Sequence, residues 1–348
     1  MKKFNIPLLD LPPLVIQKSL QKLSVLDLFE FSAISPLPHR LVKSTPNLVL
    51  SGSTIDVQLS ETTEVSVMSK KGRTLGCWTF NEDVVPKKVK KDSKYNKTVD
   101  GIEMKIVRKP FEVATVYTPS DLKYVPAVMN HLFDLFNTSF GEIVIDIQEK
   151  EISEVQCLID VIKQCERLIL VSHRKQHINE DILWVLNSIE VTKDLSFYVN
   201  PKPKFKLPEY LLRINAFKFK YSDWITRKML LSMDCETIRM KNCTLKPEDM
   251  KAFVNQWLNS ENTKLQWLVM IIPDGYDPFD TKVFKAKKFD PKVRSTTNPH
   301  ELLFNDTTSD GMDFVRKDGV LATIIQRDYV FKFLVWHERF PKDDDDDV

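Results

Sequence analysis

Cys157, Cys165, His173 and His177 are the side chains of this 348-residue chain whose types and order come nearest to a metal-binding set. His173 and His177 have a zinc-like spacing, but seven residues separate Cys157 from Cys165, where structural zinc ligands usually stand about two to four apart. Core packing and a turn histidine account for these residues better, because Cys165 and His173 fall on recurring positions of a repeat set out below. Phosphate and nucleotide chemistry fails on composition: there is no Walker-type or dinucleotide loop, and the chain has only 8 glycines where such cradles need close backbone approach. His300-Glu301 is followed by Phe304 where a zinc-protease helix needs a second histidine. Gly72-Arg73-Thr74-Leu75-Gly76 has the outline of a nucleophile elbow, with threonine in place of serine and no strand-to-helix context, and reads as a turn. No spacing converges an acid, a base and a nucleophile. The expectation is a non-catalytic protein with no metal and no cofactor.

The remaining chemistry is that of binding, and a repeat positions it. Six segments between Phe140 and Ile272 share apolar or small residues at relative positions one, four and six, often with a polar or cysteine residue at nine, as His173 is after Cys165. They are Phe140, Ile143, Ile145; Cys165, Leu168, Leu170; Thr192, Leu195, Phe197; Ile214, Phe217, Phe219; Cys235, Ile238, Met240; and Leu265, Leu268, Met270. Helical patterns fill most gaps, with Val155, Leu158, Ile159 and Ile162 before the second segment and Met250, Phe253, Val254 and Trp257 before the sixth. This is the strand signature of a leucine-rich repeat, and uneven spacings of 21 to 30 residues between segments make it an irregular one. Right-handed crossovers would put helices on one face of a parallel sheet.

On the other face, positions three, five and seven place Lys218 and Lys220 beside Arg239 and Lys241 of the next strand. Like charges in that arrangement cost about 0.2–1 kcal/mol per pair, unless an acidic or phosphorylated ligand sits there. Ser196 and Tyr198 flank the cluster on one side and Trp267, Val269 and Ile271 on the other, giving a candidate substrate-binding surface of Lys218, Lys220, Arg239, Lys241, Tyr198 and Trp267. A hydrated basic face, neutralised by the chain's own acidic residues Asp343 to Asp347, is the competing account.

The N-terminal residues Phe4 to Val42 carry more leucine, valine, isoleucine and phenylalanine than a short helical hairpin can bury, and a segment of roughly 40 residues rarely stabilises itself without a staple or partner. Leu11-Pro12 opens a helix with Pro13 in its first turn, Ser24 with Asp27 caps a second from Leu26 to Phe31, and Ser35-Pro36 starts a third. At Phe4, Pro7, Leu9, Leu11-Pro12, Val15, Leu20, Leu28-Phe29, Phe31-Ser32, Ile34-Ser35 and Arg40-Leu41-Val42 the chain resembles an F-box. The resemblance implies a module that docks on a Skp-type adaptor, and through it a cullin, of a ubiquitin ligase. Contacts would centre on Leu9, Leu11, Pro12, Val15, Leu20 and Leu28, each anchor contributing about 2 kcal/mol or more. Pro36 and Pro38 depart from the pattern by crowding the third helix.

A second resemblance lies downstream. Trp224, Cys235 to Met240, Asp249 to Trp257, Leu265, and Arg316-Lys317-Asp318-Gly319 through Ala322-Thr323-Ile324 to Val335-Trp336 resemble the type-two F-box-associated domain of the expanded nematode F-box family, over roughly residues 185–340. Together the two resemblances imply the substrate-recognition subunit of a Skp-cullin-F-box ligase, binding an unknown target protein through the repeat. The alternative, favoured by the Pro36 and Pro38 departure, is a repeat scaffold with an F-box-like cap that never joins a ligase.

The fold expected is mixed α/β with these divisions: 1–45, F-box; 46–126, a β-rich connecting region; 127–275, the βα repeat; 276–342, a C-terminal antiparallel β-hairpin unit; and 343–348, an acidic tail. Alternating residues such as Ile55, Val57 and Leu59, then Val65 and Val67, predict a β-meander over 46–85. The lysines from Lys87 to Lys97 read as a solvated loop, and residues 277–311 as an irregular excursion. Asp318-Gly319 reads as a two-residue hairpin turn with both residues at positive φ. With 50 basic and 48 acidic residues the net charge is +2, so no global field points to nucleic acid or membrane. Five cysteines and no apolar leader predict reduced thiols and a cytosolic or nuclear location.

Overall fold

A computed structural model describes residues 9, 11–45, 52–81, 94–109, 113–118, 124–148, 152–172, 179–272, 279–296 and 307–340. These fall in two compact units, residues 1–171 with 187–190 and residues 172–186 with 191–348. The first begins with helices α1 (Pro13–Leu20), α2 (Val25–Ser32) and α3 (Pro36–Ser44). It continues through β1 (Thr54–Leu59), β2 (Thr63–Met68), β3 (Thr74–Asn81), β4 (Lys94–Val99), β5 (Ile102–Lys109), β6 (Val113–Tyr117), α4 (Tyr124–Phe136), β7 (Ser139–Asp146), α5 (Ile152–Ile159) and β8 (Gln164–Val171). The strand order is β8-β7-β1-β2-β3-β6-β5-β4. β1, β2 and β3 form the expected meander, with Val57 opposite Val65 and Val65 opposite Trp78. β1 also runs parallel to β7, and β3 parallel to β6.

Each N-terminal helix starts where its residues allow. Ser24 caps α2 by accepting from the Asp27 amide at 3.2 Å, the arrangement its spacing anticipates. Pro36 and Pro38 do not shorten α3: both lie in its first turn, where amide hydrogens have no carbonyl to reach. β4 corrects the solvated-loop expectation at Lys94 to Lys97, where Asn96 faces Lys105 and Lys97 faces Met104 in a strand pair. Gly76 lets β3 approach α2, because a Cβ there would lie 3.2 Å from a Val25 methyl.

The second unit contains α6 (Asn179–Ser188), β9 (Glu190–Tyr198), β10 (Ala216–Phe219), α7 (Arg227–Ser232), β11 (Thr237–Met240), α8 (Pro247–Leu258), β12 (Trp267–Ile271), β13 (Lys287–Lys288), β14 (Met312–Val315), β15 (Leu321–Arg327) and β16 (Val330–Trp336), α6 and β9 giving residues 187–190 to the first unit. Its strand order is β9-β10-β11-β12-β16-β15-β14-β13. β9 to β12 pair parallel in sequence, and β16, β15, β14 and β13 extend the sheet antiparallel. The repeat register places Leu195, Phe197, Phe217, Phe219, Ile238, Met240, Leu268 and Met270 in the core, none more than 2% exposed. Helix α8 covers this face, its Phe253 and Trp257 meeting Phe333 edge-on at 5.6 and 5.2 Å between ring centres.

The β14–β15 turn differs from a two-residue hairpin. Gly319 has a φ of 90° but Asp318 is not left-handed. The loop closes instead through Gly319 N–H to Arg316 O and Arg316 N–H to Val320 O, at 3.0 and 2.9 Å. The Asp318 carboxylate holds it from inside by accepting from the Arg316 guanidinium, whose plane stacks 4.6 Å from the Trp257 ring centre. The expected excursion 277–311 holds a structural anchor. Arg294 is fully buried between the Phe289 and Trp336 rings, donates to both Asp313 oxygens at 3.0 Å, and donates to the Thr308 carbonyl at 2.8 Å.

A buried ion pair stabilises little in itself, but removing one partner strands the other charge. Asp313→Leu should therefore destabilise the chain by about 3–5 kcal/mol in urea unfolding, and adding Arg294→Met should recover much of that loss. A cost below about 1 kcal/mol for Asp313→Leu alone would contradict the anchor role.

Several sequence expectations fall outside the described residues: Phe4, Pro7, Lys87, Lys88, Lys90, Lys91, His173, His177, His300, Glu301, Phe304 and Asp343 to Asp347. Among the described residues no His, Cys, Asp and Glu group has metal-binding geometry. Of the motif read as a turn, Gly72 sits at φ 73° in the β2–β3 turn, while Thr74, Leu75 and Gly76 already belong to β3.

Candidate functional site

Two surfaces remain as candidates, one in each unit. The first is the outer side of α1–α3. Ile16 and Leu20, four residues apart on one face of α1, enter a core with Leu28, Val42 and Leu135 of α4. With successive residues turned by about 100°, burying Ile16 leaves Leu14 and Val15 facing out, and they are 62% and 43% exposed. Ile34, between α2 and α3, and Leu37, in the first turn of α3, are 63% and 48% exposed. The inner side is held by polar ties as well as apolar contact. Phe29 packs 4.9 Å from Trp78 and 5.0 Å from His131 between ring centres. Arg108 of β5 donates to Asp27 of α2 at 2.5 Å, and Tyr95 of β4 donates to Glu30. Lys43 of α3 pairs with Asp134 of α4, which also meets His39 at 3.2 Å.

The expected adaptor residues divide accordingly. Leu9, Pro12 and Val15 are exposed, and Leu11 is half-buried against the core. Leu20 and Leu28, at 0% and 2% exposure, are enclosed by their own unit and orient the helices without offering contact area. Leu14, Ile34 and Leu37 were not among the adaptor contacts expected from sequence. The signal for Leu14 was the inward pair Ile16 and Leu20, whose spacing fixes which side of α1 points out.

Ser32 and His131 come together at 2.7 Å, the one nucleophile-and-imidazole contact of this unit among the described residues. The Ser32 hydroxyl donates to the Phe29 carbonyl at 2.7 Å, so the imidazole must donate to the hydroxyl oxygen and cannot take its proton. The contact is a tie between α2 and α4. Burial, with the neighbouring His39 adding to it, lowers the His131 pKa from 6.5 to about 4. The Asp27 carboxyl is likewise held below its usual range: burial pushes it up, but hydrogen bonds from Arg108 and Ser24 outweigh that.

The second surface is the sheet face opposite α8. Lys218 of β10 lies directly beside Arg239 of β11, with Ser196 of β9 and Val269 of β12 on either flank. Lys220 and Lys241 follow one step along, bonded through their backbones to Phe197 and Phe219 carbonyls. Lys218, Lys220 and Lys241 are exposed, and Arg239 and Tyr198 are half-buried. Trp267 departs from the aromatic surface expected of it. It packs with Val269, Ile325 and Leu334 in a closed apolar cluster, because β16 runs antiparallel beside β12 and sets Leu334 opposite Trp267. The basic patch is thus bordered by apolar core on that side.

The family described as F-box associated matches residues 207–270, inside the stretch 185–340 that resembles such a domain and spanning β10 to β12. Uncharacterized protein F59B2.9 of Caenorhabditis elegans is 25% identical over 352 residues, covering 96% of this chain and 80% of that protein. Uncharacterized protein F59B2.8 of the same nematode is 27% identical over 237 residues, 62% of this chain and 51% of that one. E3 ubiquitin-protein ligase hecw-1, also of Caenorhabditis elegans, is 37% identical over 60 residues, 17% of this chain and 5% of that protein. No solved structure matches.

The His131 shift sets a pH dependence. Because the folded imidazole resists protonation until pH about 4 while an unfolded one takes up its proton near pH 6.5, the stabilisation is complete above pH 6.5 and is lost as the pH falls toward 4. The loss should be on the order of 2–3 kcal/mol. His131→Gln should flatten unfolding free energy across that window, and an unchanged slope would exclude His131 as its source.

Proposed function

We propose that the protein is a non-enzymatic substrate-recognition subunit of a cullin-based ubiquitin ligase, with α1–α3 acting as an F-box toward a Skp-type adaptor and the second unit capturing a target protein. The observation that carries this reading is the F-box-associated match over residues 207–270. It stands on a chain whose N-terminal helices leave Leu9, Leu14, Val15, Ile34 and Leu37 uncovered. A likeness to part of a protein named as an E3 ubiquitin ligase agrees with it. In this reading β9–β12 with their connecting helices are a leucine-rich-repeat-like array, ubiquitin transfer occurs on other subunits, and the protein works in the cytosol or nucleus.

Leu9, Leu11, Pro12 and Val15 keep their place in the adaptor contact, joined by Leu14. Leu20 and Leu28 are not part of it, since a side chain enclosed in its own core has no area left to give. A non-ligase scaffold with an F-box-like cap is the competing reading. The prolines of α3, which favoured it from sequence, are accommodated in the first helical turn.

Purified chain and a nematode Skp-type adaptor decide between them. Two anchors at about 2 kcal/mol each predict that Leu14→Asp with Val15→Asp weakens adaptor binding at least roughly a hundredfold. Both side chains are exposed, so circular dichroism and urea unfolding of the variant should match the wild type. Absence of adaptor binding by the wild-type chain would favour the scaffold, and unchanged binding by the variant would move the contact off α1.

A further inference from the structure

We infer that the basic face of β10 and β11 binds an acidic polypeptide segment, an inference that rests on the second unit being the target-capturing part of a ligase receptor and gives that target its chemistry. Adjacent strands are about 4.8 Å apart, so Lys218 and Arg239 are neighbours on one face, and Lys220 and Lys241 follow them just past the ends of β10 and β11. The register sets Lys218 against Arg239, and the Lys220 and Lys241 amides are bonded to the Phe197 and Phe219 carbonyls.

Several surface cations of the described residues have an acidic partner. Lys43 meets Asp134, Arg108 meets Asp27, Arg167 meets Glu142, Arg227 meets Asp249 and Arg327 meets Asp310. Lys218, Lys220 and Lys241 make no ion pair among the described residues, and Lys220 has only the Tyr221 ring, 5.4 Å away. A net charge of +2 leaves no general excess of cations to explain a cluster of this density. Four like charges close together, three of them in no ion pair among the described residues, are complementary to an anionic partner.

The sheet position narrows the partner further. β10 and β11 are internal strands, hydrogen-bonded to β9 and β12 on their outer sides, so their backbones cannot accept an added strand and recognition must go through side chains. Asp194, level with Ala216 on the same face, bounds the patch at one end, and the closed cluster of Trp267 and Val269 bounds it at one side. A single-stranded nucleic acid would need a longer cationic track and exposed rings for stacking, and Trp267 is not available for that. A short run of aspartate, glutamate or phosphorylated residues matches the patch in size and sign.

A fluorescein-labelled peptide of alternating aspartate and glutamate, titrated by anisotropy with the full-length protein at low salt, tests the inference. The wild-type chain should bind it, with affinity falling as salt rises. Lys218→Glu with Lys220→Glu should weaken binding roughly tenfold or more, and Lys287→Glu with Lys288→Glu, on exposed cations of β13, should not. Equal loss in both variants, no loss in the first, or tighter binding of a single-stranded oligonucleotide of matched charge would overturn the site. Adaptor binding by the same variants separates the two claims. If the Lys218→Glu, Lys220→Glu chain and the wild type bind peptide alike while both bind the adaptor, the patch fails and the receptor reading stands. If the wild type binds the peptide through the patch but no adaptor, the receptor reading fails and the patch stands.

Discussion

Phe29 is fully enclosed between Trp78 of β3 and His131 of α4, and this contact decides what the N-terminal helices can do. Three helices of eight or nine residues are too short to persist alone in water. They are held because one side is consumed by their own unit: Ile16, Leu20, Leu28 and Val42 close over Leu135, while Asp27, Glu30 and Ser32 are tied to Arg108, Tyr95 and His131. Consuming that side leaves Leu14, Val15, Ile34 and Leu37 on the other. A partner meeting them would find helices already ordered, and the entropy of ordering them would not be charged against its affinity.

The second unit divides in the same way between what is used internally and what is left over. Its helix-facing side is a continuous aromatic and aliphatic core from Phe197 to Phe333. Its other side is closed over β12, β15 and β16 by Trp267, Val269, Ile325 and Leu334. Beyond that, Arg294 pins the chain before β14 to Asp313, itself bonded by Thr323, whose hydroxyl also accepts from Trp336. On that other side β10 and β11 leave Lys218 exposed beside Arg239. The F-box-associated match spans these strands and their connecting helices.

What could be read from the sequence was local or periodic. The six repeat segments became strands because alternate apolar residues at fixed offsets must face one core, and Ile143, Leu168, Leu195, Phe217, Ile238 and Leu268 are all fully buried. The Ser24 cap and the Lys218–Arg239 pairing followed from short-range rules as well. What could not be read was long-range. Ser32 and His131 are 99 residues apart in the chain, so nothing near α2 showed that α4 would cover it, and Leu20 and Leu28 looked available for a partner. Trp267 was assigned to the correct face of the strand, but its burial depends on the register of β16, which the sequence of β12 does not contain. The Asp318-Gly319 turn took a longer form because Arg316 reaches back to the Asp318 carboxylate, a contact that turn propensities alone do not encode.

Amide hydrogen exchange of the full chain, with and without a saturating Skp-type adaptor, tests the division of α1–α3 most directly, because exchange slows where a partner closes local opening. Slower exchange in residues 11–23 and 34–38, with little change at the already enclosed α2 residues Leu28 and Phe29 and none in β9–β12, is the pattern expected of a surface half used and half open. Exchange in 11–23 and 34–38 that stays the same with adaptor present would contradict it.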